Sequence, residues 1–340
     1  MNLLLMAIPL LMLAAIPVGA TESGLMITEV MVPLHDQVYG MSEAVCRQGG
    51  EEFITPAQPM TPGQHEQPRV GIGDGQGDEV HTTPLPATQI FAPLRADPKE
   101  PRFFVSALKV DSESRDTTIG AVGFGEHFGI VRRETRAGLD WQLGLAGAVF
   151  AQFDLEAPSS DLINADYVIG LPLTWRRGDC SGRVRVYHQS SHLGDEYLLS
   201  AKPQRVNLSF EALEALAAYD FGNLRLYGGG EYLFHRDPDD LGKGLLHTGL
   251  DWRGREVAFR LGDLGGARWV AGLDVKCWQQ NDWATQLSAK TGLEFAPLDD
   301  AGHGGRHWNG LLEFYDGPSP YGQFYPLDAR YWGVAIQLGL

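Results

Sequence analysis

The segment His188-Gln189-Ser190-Ser191-His192, with Asp195 and Glu196 close behind it, brings together side chains that could do chemistry. A histidine two places before a serine suits nucleophilic acyl transfer. Ser190 would attack an ester carbonyl and His188 would take its proton. Asp195 or Glu196 would orient the imidazole or hold a cation. A second chemistry uses His188, His192 and Asp195 as metal ligands, but no further cluster at ligand spacing accompanies them. A third reading needs no chemistry: His188 and His192 sit at a membrane interface and Ser190 is a small filler beside them. The choice turns on where the segment points, and so on the element that carries it.

Those elements are read from alternation. At the C-terminus Trp332, Val334, Ile336, Leu338 and Leu340 share one face, against Tyr331, Gly333, Ala335, Gln337 and Gly339. Around residue 145, Trp141, Leu143, Leu145 and Val149 oppose Gln142, Gly144, Ala146 and Ala148. Tyr167, Ile169, Leu171, Leu173 and Trp175 line up in the same way, as do Leu224, Leu226, Tyr232 and Phe234 against Arg225, Tyr227 and Glu231. A period of two marks strands, and a one-residue slip would exchange their faces. Twelve runs follow: 102–111, 117–132, 140–154, 161–176, 182–192, 206–220, 223–235, 244–253, 268–279, 284–296, 306–316 and 329–340. Residues 206–220 also suit a helix, and 251–267 is weakly patterned.

Several runs reach the ~10 residues that a tilted strand needs to cross hydrocarbon, whereas strands of soluble proteins usually stop near 5–6. The second face carries Gly, Ala, Gln, Arg, Glu and Lys rather than a uniform charged coat. Trp141, Trp175, Trp252, Trp269, Trp308 and Trp332 stand near strand ends, where an interfacial girdle belongs. The expected fold is all-β: an antiparallel transmembrane β-barrel of about twelve strands, within a range of ten to fourteen. Arg183, Arg185, Arg225, Glu231, Lys290 and Glu294 would form a charge ladder in a narrow, plugged lumen. In the fifth strand the parity of Val184 and Val186 carries His188, Ser190 and His192 to the outward face. Asp195 and Glu196 fall in the following external loop.

Composition agrees. There are 27 Lys plus Arg against 43 Asp plus Glu, a net charge of −16, which excludes a protein that coats nucleic acid. Glycine, at 42 of 340 residues, exceeds the usual ~7%. No run after residue 20 approaches the ~18 apolar residues of a spanning helix. Residues 1–20 are uncharged and apolar, with Val18 and Ala20 placed for signal-peptidase cleavage before Thr21, and read as a secretory signal peptide. Residues 21–100 are Pro- and Gly-rich and irregular, and 101–340 form the barrel domain. The Gly71–Gly77 run fits a linker better than a nucleotide loop. Asp97-Pro98-Lys99-Glu100-Pro101-Arg102 leads into the first strand. Cys46, Cys180 and Cys277 are no disulfide framework; at most one bridge can form among them, and the spacing does not say whether any does.

The location that follows is the cell outer membrane. The expected partners are outer-membrane lipids and, during insertion, the barrel-assembly machinery, with no nucleic acid. No cofactor is expected; calcium at Asp237-Pro238-Asp239-Asp240 or Asp299-Asp300 is the minor alternative to solvated loops.

The outward His188-x-Ser190 resembles the catalytic segment of outer-membrane phospholipase A and of lipid A deacylase barrels. Ser191 stands where those enzymes carry Asn, and no matching position supplies the third catalytic member. The segments Phe91–Phe103 and Tyr187–Tyr197 resemble a bacterial family of secreted proteins known as a domain of unknown function. That resemblance implies one barrel-like domain and supplies no activity. Three functions remain in view: an envelope protein, a lipid acyl hydrolase using Ser190 and His188, and a narrow small-solute channel.

Overall fold

The computed structural model describes residues 80–111, 117–135, 138–203, 206–262, 265–297 and 307–339. In chain order the strands are β1 (His81–Pro84), β2 (Phe103–Asp111), β3 (Thr117–Glu134), β4 (Asp140–Asp154), β5 (Asp161–Arg177), β6 (Cys180–Leu193) and β7 (Leu208–Phe221). They continue with β8 (Leu224–Asp237), β9 (Gly244–Arg253), β10 (Phe259–Arg260), β11 (Gly266–Trp278), β12 (Thr285–Ala296), β13 (His307–Pro318) and β14 (Asp328–Gly339). One short helix, α1 (Asp195–Ala201), joins β6 to β7. Apart from β1 and β10, each strand pairs antiparallel with its sequence neighbours. β14 pairs with β2, with Val334 opposite Ala107, and this closes the ring. The result is the expected closed barrel of twelve strands. β1 and β10 are short additions at its edge, on β3 and β11 respectively.

Alternation sorts the side chains as polarity requires. In β14, Trp332, Val334 and Ile336 face outward and are exposed, while Tyr331, Ala335 and Gln337 are buried inside. In β5, Tyr167, Ile169, Leu171 and Leu173 are exposed on the outer surface. A belt of exposed aliphatic and aromatic residues around a polar interior inverts a soluble protein and matches a barrel bathed in hydrocarbon. The ambiguous run near residue 210 is a strand. Leu208, Phe210, Ala212, Leu216 and Ala218 turn inward at a strict period of two, which a helix could not bury on one side.

Both ends of the barrel sequence, the start of β2 and the end of β14, lie at one rim, called here the terminal rim. Tight turns such as Gly178 and Gly222, both at positive φ, close hairpins there. Trp141, Trp175, Trp252, Trp269 and Trp308 cluster toward this rim. Trp332 sits higher, opposite Lys109. The side chain of Trp175 lies against Gly182 of β6, where a Cβ would come within 2.1 Å of the ring, so only glycine lets it lie flat on the wall. The connections from β9 to β11 and from β12 to β13, at the same rim, are longer; α1 lies in the connection at the opposite rim, called the loop rim.

The lumen is filled by the chain itself. Residues 85–102, which carry no regular periodicity, pass through it and bond to strands on every side. Arg132 of β3 donates to the Thr88 carbonyl at 2.5 Å, and Arg225 of β8 to that of Ala92 at 2.7 Å. Ser288 of β12 donates to Ala96 O at 2.7 Å. Arg102 donates to Gln337 of β14 at 3.1 Å. The prolines that precede β2 therefore shape a plug, and the Asp97–Arg102 segment does more than lead into the first strand. The segment read as a signal peptide, the Gly71–Gly77 run, Cys46 and the Asp299-Asp300 pair lie outside the described residues. Cys180 is disulfide-bonded, which answers the question that cysteine spacing had left open. Cys277 is a free thiol.

Candidate functional sites: the lumenal charge network and an outward histidine row

The barrel wall contributes the buried charges that the alternation placed inward. Arg183, only 2% exposed, donates to both Glu100 oxygens at 2.7 and 3.1 Å and to both Glu214 oxygens at 2.7 and 3.2 Å. Arg185 adds a bond to Glu214 at 2.7 Å. Lys276 holds Asp97 at 2.8 Å, and Lys99 pairs with Asp166. Arg95 reaches Glu294 at 3.2 Å and Asn309 at 3.0 Å. Lys290 pairs with Glu313 at 2.7 Å. The six ladder residues read from the sequence, Arg183, Arg185, Arg225, Glu231, Lys290 and Glu294, are all buried here. The plug charges that meet the wall, Glu100 on Arg183, Arg95 on Glu294, Asp97 on Lys276 and Lys99 on Asp166, lack any periodic signal and were not legible as such.

Electrostatics lock the plug in place. Burial alone would raise the Glu100 carboxyl, but Arg183 and His127 hold it well below the usual carboxylate range. Burial likewise opposes ionisation of Asp97, and Lys276 with His247 more than offsets it, leaving that carboxyl low. For Lys99, burial lowers the ammonium more than Asp166 raises it.

Two groups of side chains could hold a metal: Asp97, His247 and Asp274, and Glu214, Glu231 and His247. Their acids already have donors. Lys276 serves Asp97, Tyr227 serves Asp274 at 2.6 Å, Arg183 and Arg185 serve Glu214, and Tyr187 serves Glu231. A cation would have to displace fixed positive charge, so the arrangement is self-neutralising. Among the described residues, His188, His192 and Asp195 do not converge on a metal position, and neither do Asp237, Asp239 and Asp240.

On the outer surface the HxSSH segment divides by parity. His188, Ser190 and His192 point outward near the loop rim, as expected. Ser191 points inward and is buried. His188 lies opposite Glu211 of β7, and Glu211 opposite His235 of β8, which makes a row across three strands. His188 Nδ1 is 2.8 Å from Glu211 Oε1, and His235 Nδ1 is 2.5 Å from Glu211 Oε2. The second imidazole nitrogen of His188 is thereby left for another partner. Ser190 stands two residues further along the same face, opposite Tyr167, and no hydrogen bond joins it to His188. His192 packs edge-on against Tyr167, with ring centroids 5.7 Å apart. Asp195 and Glu196 begin α1, exposed, and contact neither His188 nor Ser190; the connection expected as a loop is this helix. The carboxylate that meets His188 is Glu211, which sequence reasoning missed. It comes from a different strand, and only cross-strand register brings it there.

Ser191 ties down the far end of the lumen. It donates to Asn164 at 3.0 Å and accepts from the Gln323 amide at 3.3 Å, and the Gln323 side chain donates to its carbonyl at 3.0 Å. The connection between β13 and β14 is thus folded inward. Gly322 sits at φ +29°, where a Cβ would lie 1.8 Å from Ser191 Oγ, so a side chain cannot be added there without opening this contact.

A closed antiparallel barrel with an apolar outer belt, a polar interior and a plug of its own chain defines the outer-membrane type of β-barrel protein. Within that class the chain belongs to the DUF1207 family, proteins of unknown function, whose family model matches residues 51–340. No curated protein matches the sequence. Among solved structures, outer membrane phospholipase A from Escherichia coli is similar at 15% identity, covering 74% of this chain and 95% of that one, with a TM-score of 0.47. The translocator domain of the autotransporter NalP from Neisseria meningitidis shares 15% identity over 72% of this chain and 91% of its own, with a TM-score of 0.31. The closed ring described here rests on its own strand pairing.

Proposed function

We propose that this chain is a sealed barrel of the outer membrane that acts at the bilayer rather than conducting solute through its lumen. The carrying observation is the plug, with Glu100 clamped between Arg183 and His127 inside the wall. A pore needs a continuous aqueous path, and the described lumen holds residues 85–102 with the Gln323 connection above them. The loop rim faces outward in this reading, because the two-residue hairpin turns after β5 and β7, of the kind that belongs on the periplasmic side, lie at the terminal rim. Full-length protein in planar bilayers is expected to give no steady conductance; stable open channels would overturn the sealed reading.

A second reading is favoured by one contact, Glu211 with His188. Carboxylate, imidazole and Ser190 then follow one another on the lipid-facing surface near the loop rim, in the order used for acyl transfer. Glu211 would hold the His188 tautomer. The other ring nitrogen would accept the Ser190 proton as the hydroxyl attacks a lipid ester, and return it to the leaving alcohol. Water would then release the acyl group. Protein in mixed micelles should cleave a phospholipid or short-chain ester, and Ser190→Ala should abolish the reaction without altering the barrel. Equal turnover in that variant rules the serine out.

A further inference from the structure

Between the plug and the strand ends of the terminal rim lies a hollow of about 130 Å³. Plug residues between Gln89 and Arg102 line one side of it. His307 at the start of β13, with Leu338 and Gly339 at the end of β14, lines the other, so the hollow opens at that rim.

Charged side chains dominate the lining: Arg95, Arg102, Arg176 and Arg253 stand with Glu126 and Glu294. Counted together with their partners outside the hollow, these charges do not cancel. Asp220 takes both terminal nitrogens of Arg176 and matches it. Three guanidiniums then stand against two carboxylates, a surplus of one positive charge with His127 and His307 neutral. Acids deeper in the wall do not remove it. Glu100 and Glu214 answer Arg183 and Arg185, and Asp251 answers Arg225. Glu294 is shared between Arg95 at 3.2 Å and Arg253 at 2.6 Å. Among the described residues Arg102 has no carboxylate on it. Its partners are neutral: the Leu94 and Arg95 carbonyls and the Gln337 side chain. Those three bonds leave two of the five N–H donors of a guanidinium unused. A half-buried cation held only by neutral acceptors is costly until a counter-charge meets it.

Planar forks of N–H donors match the paired oxygens of a carboxylate or a phosphate. A ~150 Å³ cavity takes one six-carbon ring, so this hollow has room for about five or six heavy atoms. We propose that the terminal-rim hollow binds a compact oxyanion, inorganic phosphate or a short carboxylate, as the counter-charge of Arg102. Arg253, 24% exposed at the end of β9, is the second guanidinium within reach of the mouth. Glu126 and Glu294 restrict the site to a small charge, so a polyanion is refused on charge as well as on size. This inference needs only the plug and the strand ends, and is independent of ester cleavage at Ser190.

The test is calorimetric titration of the full-length protein in an amine-oxide detergent and an amine buffer with chloride, where no other oxyanion competes. Phosphate and acetate are the probes. Citrate, larger and more highly charged, and glucose, neutral, are the contrasts. The expected result is saturable one-site binding of phosphate or acetate that persists in excess chloride, with none of citrate or glucose; the two probe titrations tell which oxyanion the site prefers. Arg102→Gln should weaken binding roughly tenfold or more. Arg253→Gln should weaken it as well, and carries the test if Arg102→Gln fails to fold. Arg330→Gln, which removes a positive charge at the loop-rim end of β14, should leave it unchanged. No saturable binding of either probe, citrate bound as tightly, wild-type affinity in both terminal-rim variants, or an equal loss in Arg330→Gln would each overturn the proposal.

Discussion

The two faces of β6 have the same backbone and opposite chemistry. Inward, Arg183, Arg185, Tyr187 and Ser191 are each held by named partners on other strands, the plug or the Gln323 connection. Outward, Val184 and Val186 give way near the loop rim to His188, Ser190 and His192, and of these the one polar partner found is Glu211 for His188. The inner face is committed to structure, so changes there should be felt as stability. The outer face is under-committed, so changes there should be felt, if anywhere, as activity.

The largest effect should come from the inner face. Arg183→Ala leaves buried Glu100 with His127 alone and buried Glu214 with Arg185 alone, and should cost about 3–5 kcal/mol. Urea unfolding in detergent micelles checks this, with Val186→Ala as the outward control, expected to shift stability by about 0.5 kcal/mol or less. Comparable losses in both variants would erase the contrast between the faces.

If the outward row is catalytic, Glu211→Gln should slow ester cleavage by roughly 10²-fold or more, since the imidazole loses its orienting charge. His235→Gln, which removes the competitor for the same carboxylate, should slow it far less. Initial rates in mixed micelles would separate the two.

The plug should also give the barrel an acid limit. Glu100 has a depressed folded pKa, so its stabilisation is fully present above the ordinary value of 4.5 and is lost as pH falls through the folded value. Melting temperature should hold level from neutral pH to about 5 and then fall. Glu100→Gln should start lower and descend less steeply, Asp97 supplying the remaining slope. A variant that keeps the full slope would place the titration elsewhere.

The smallest effect belongs to Ser191. Ser191→Ala removes a hydroxyl held between Asn164 and Gln323, and should cost about 1 kcal/mol. Hydrogen exchange should quicken at the Gln323 amide while the strand amides of β6 stay protected.

Strands were legible because one period of two governs both hydrogen bonding and solvent choice. Trp332, Val334 and Ile336 announce their lipid side, and the run at 208–221 resolves to a strand once its Leu and Ala residues are seen to alternate. The ladder on the inner wall was readable for the same reason. The plug was not, because residues 85–102 take their shape from partners far along the chain and from prolines that suit many irregular paths. α1 was missed because seven residues of mixed polarity leave no periodic trace. Of the outward site, the sequence reveals His188, Ser190 and His192 through parity, and even separates Ser191 from them. It conceals Glu211, whose place beside His188 depends on the register between β6 and β7. Asp195 and Glu196 were near His188 only in sequence.

The central claim is that hydrocarbon, not water, bathes the exposed outer wall. Val334 on β14 and Leu327 in the loop-rim connection are similarly exposed, at 55% and 59%. Nitroxide labels at Val334→Cys and Leu327→Cys, each in a Cys277→Ala background and reconstituted in lipid vesicles, distinguish their surroundings. The account predicts that the Val334 label collides readily with dissolved oxygen and hardly with a water-soluble nickel chelate, while the Leu327 label meets the chelate. Ready access of the chelate to both labels would contradict it.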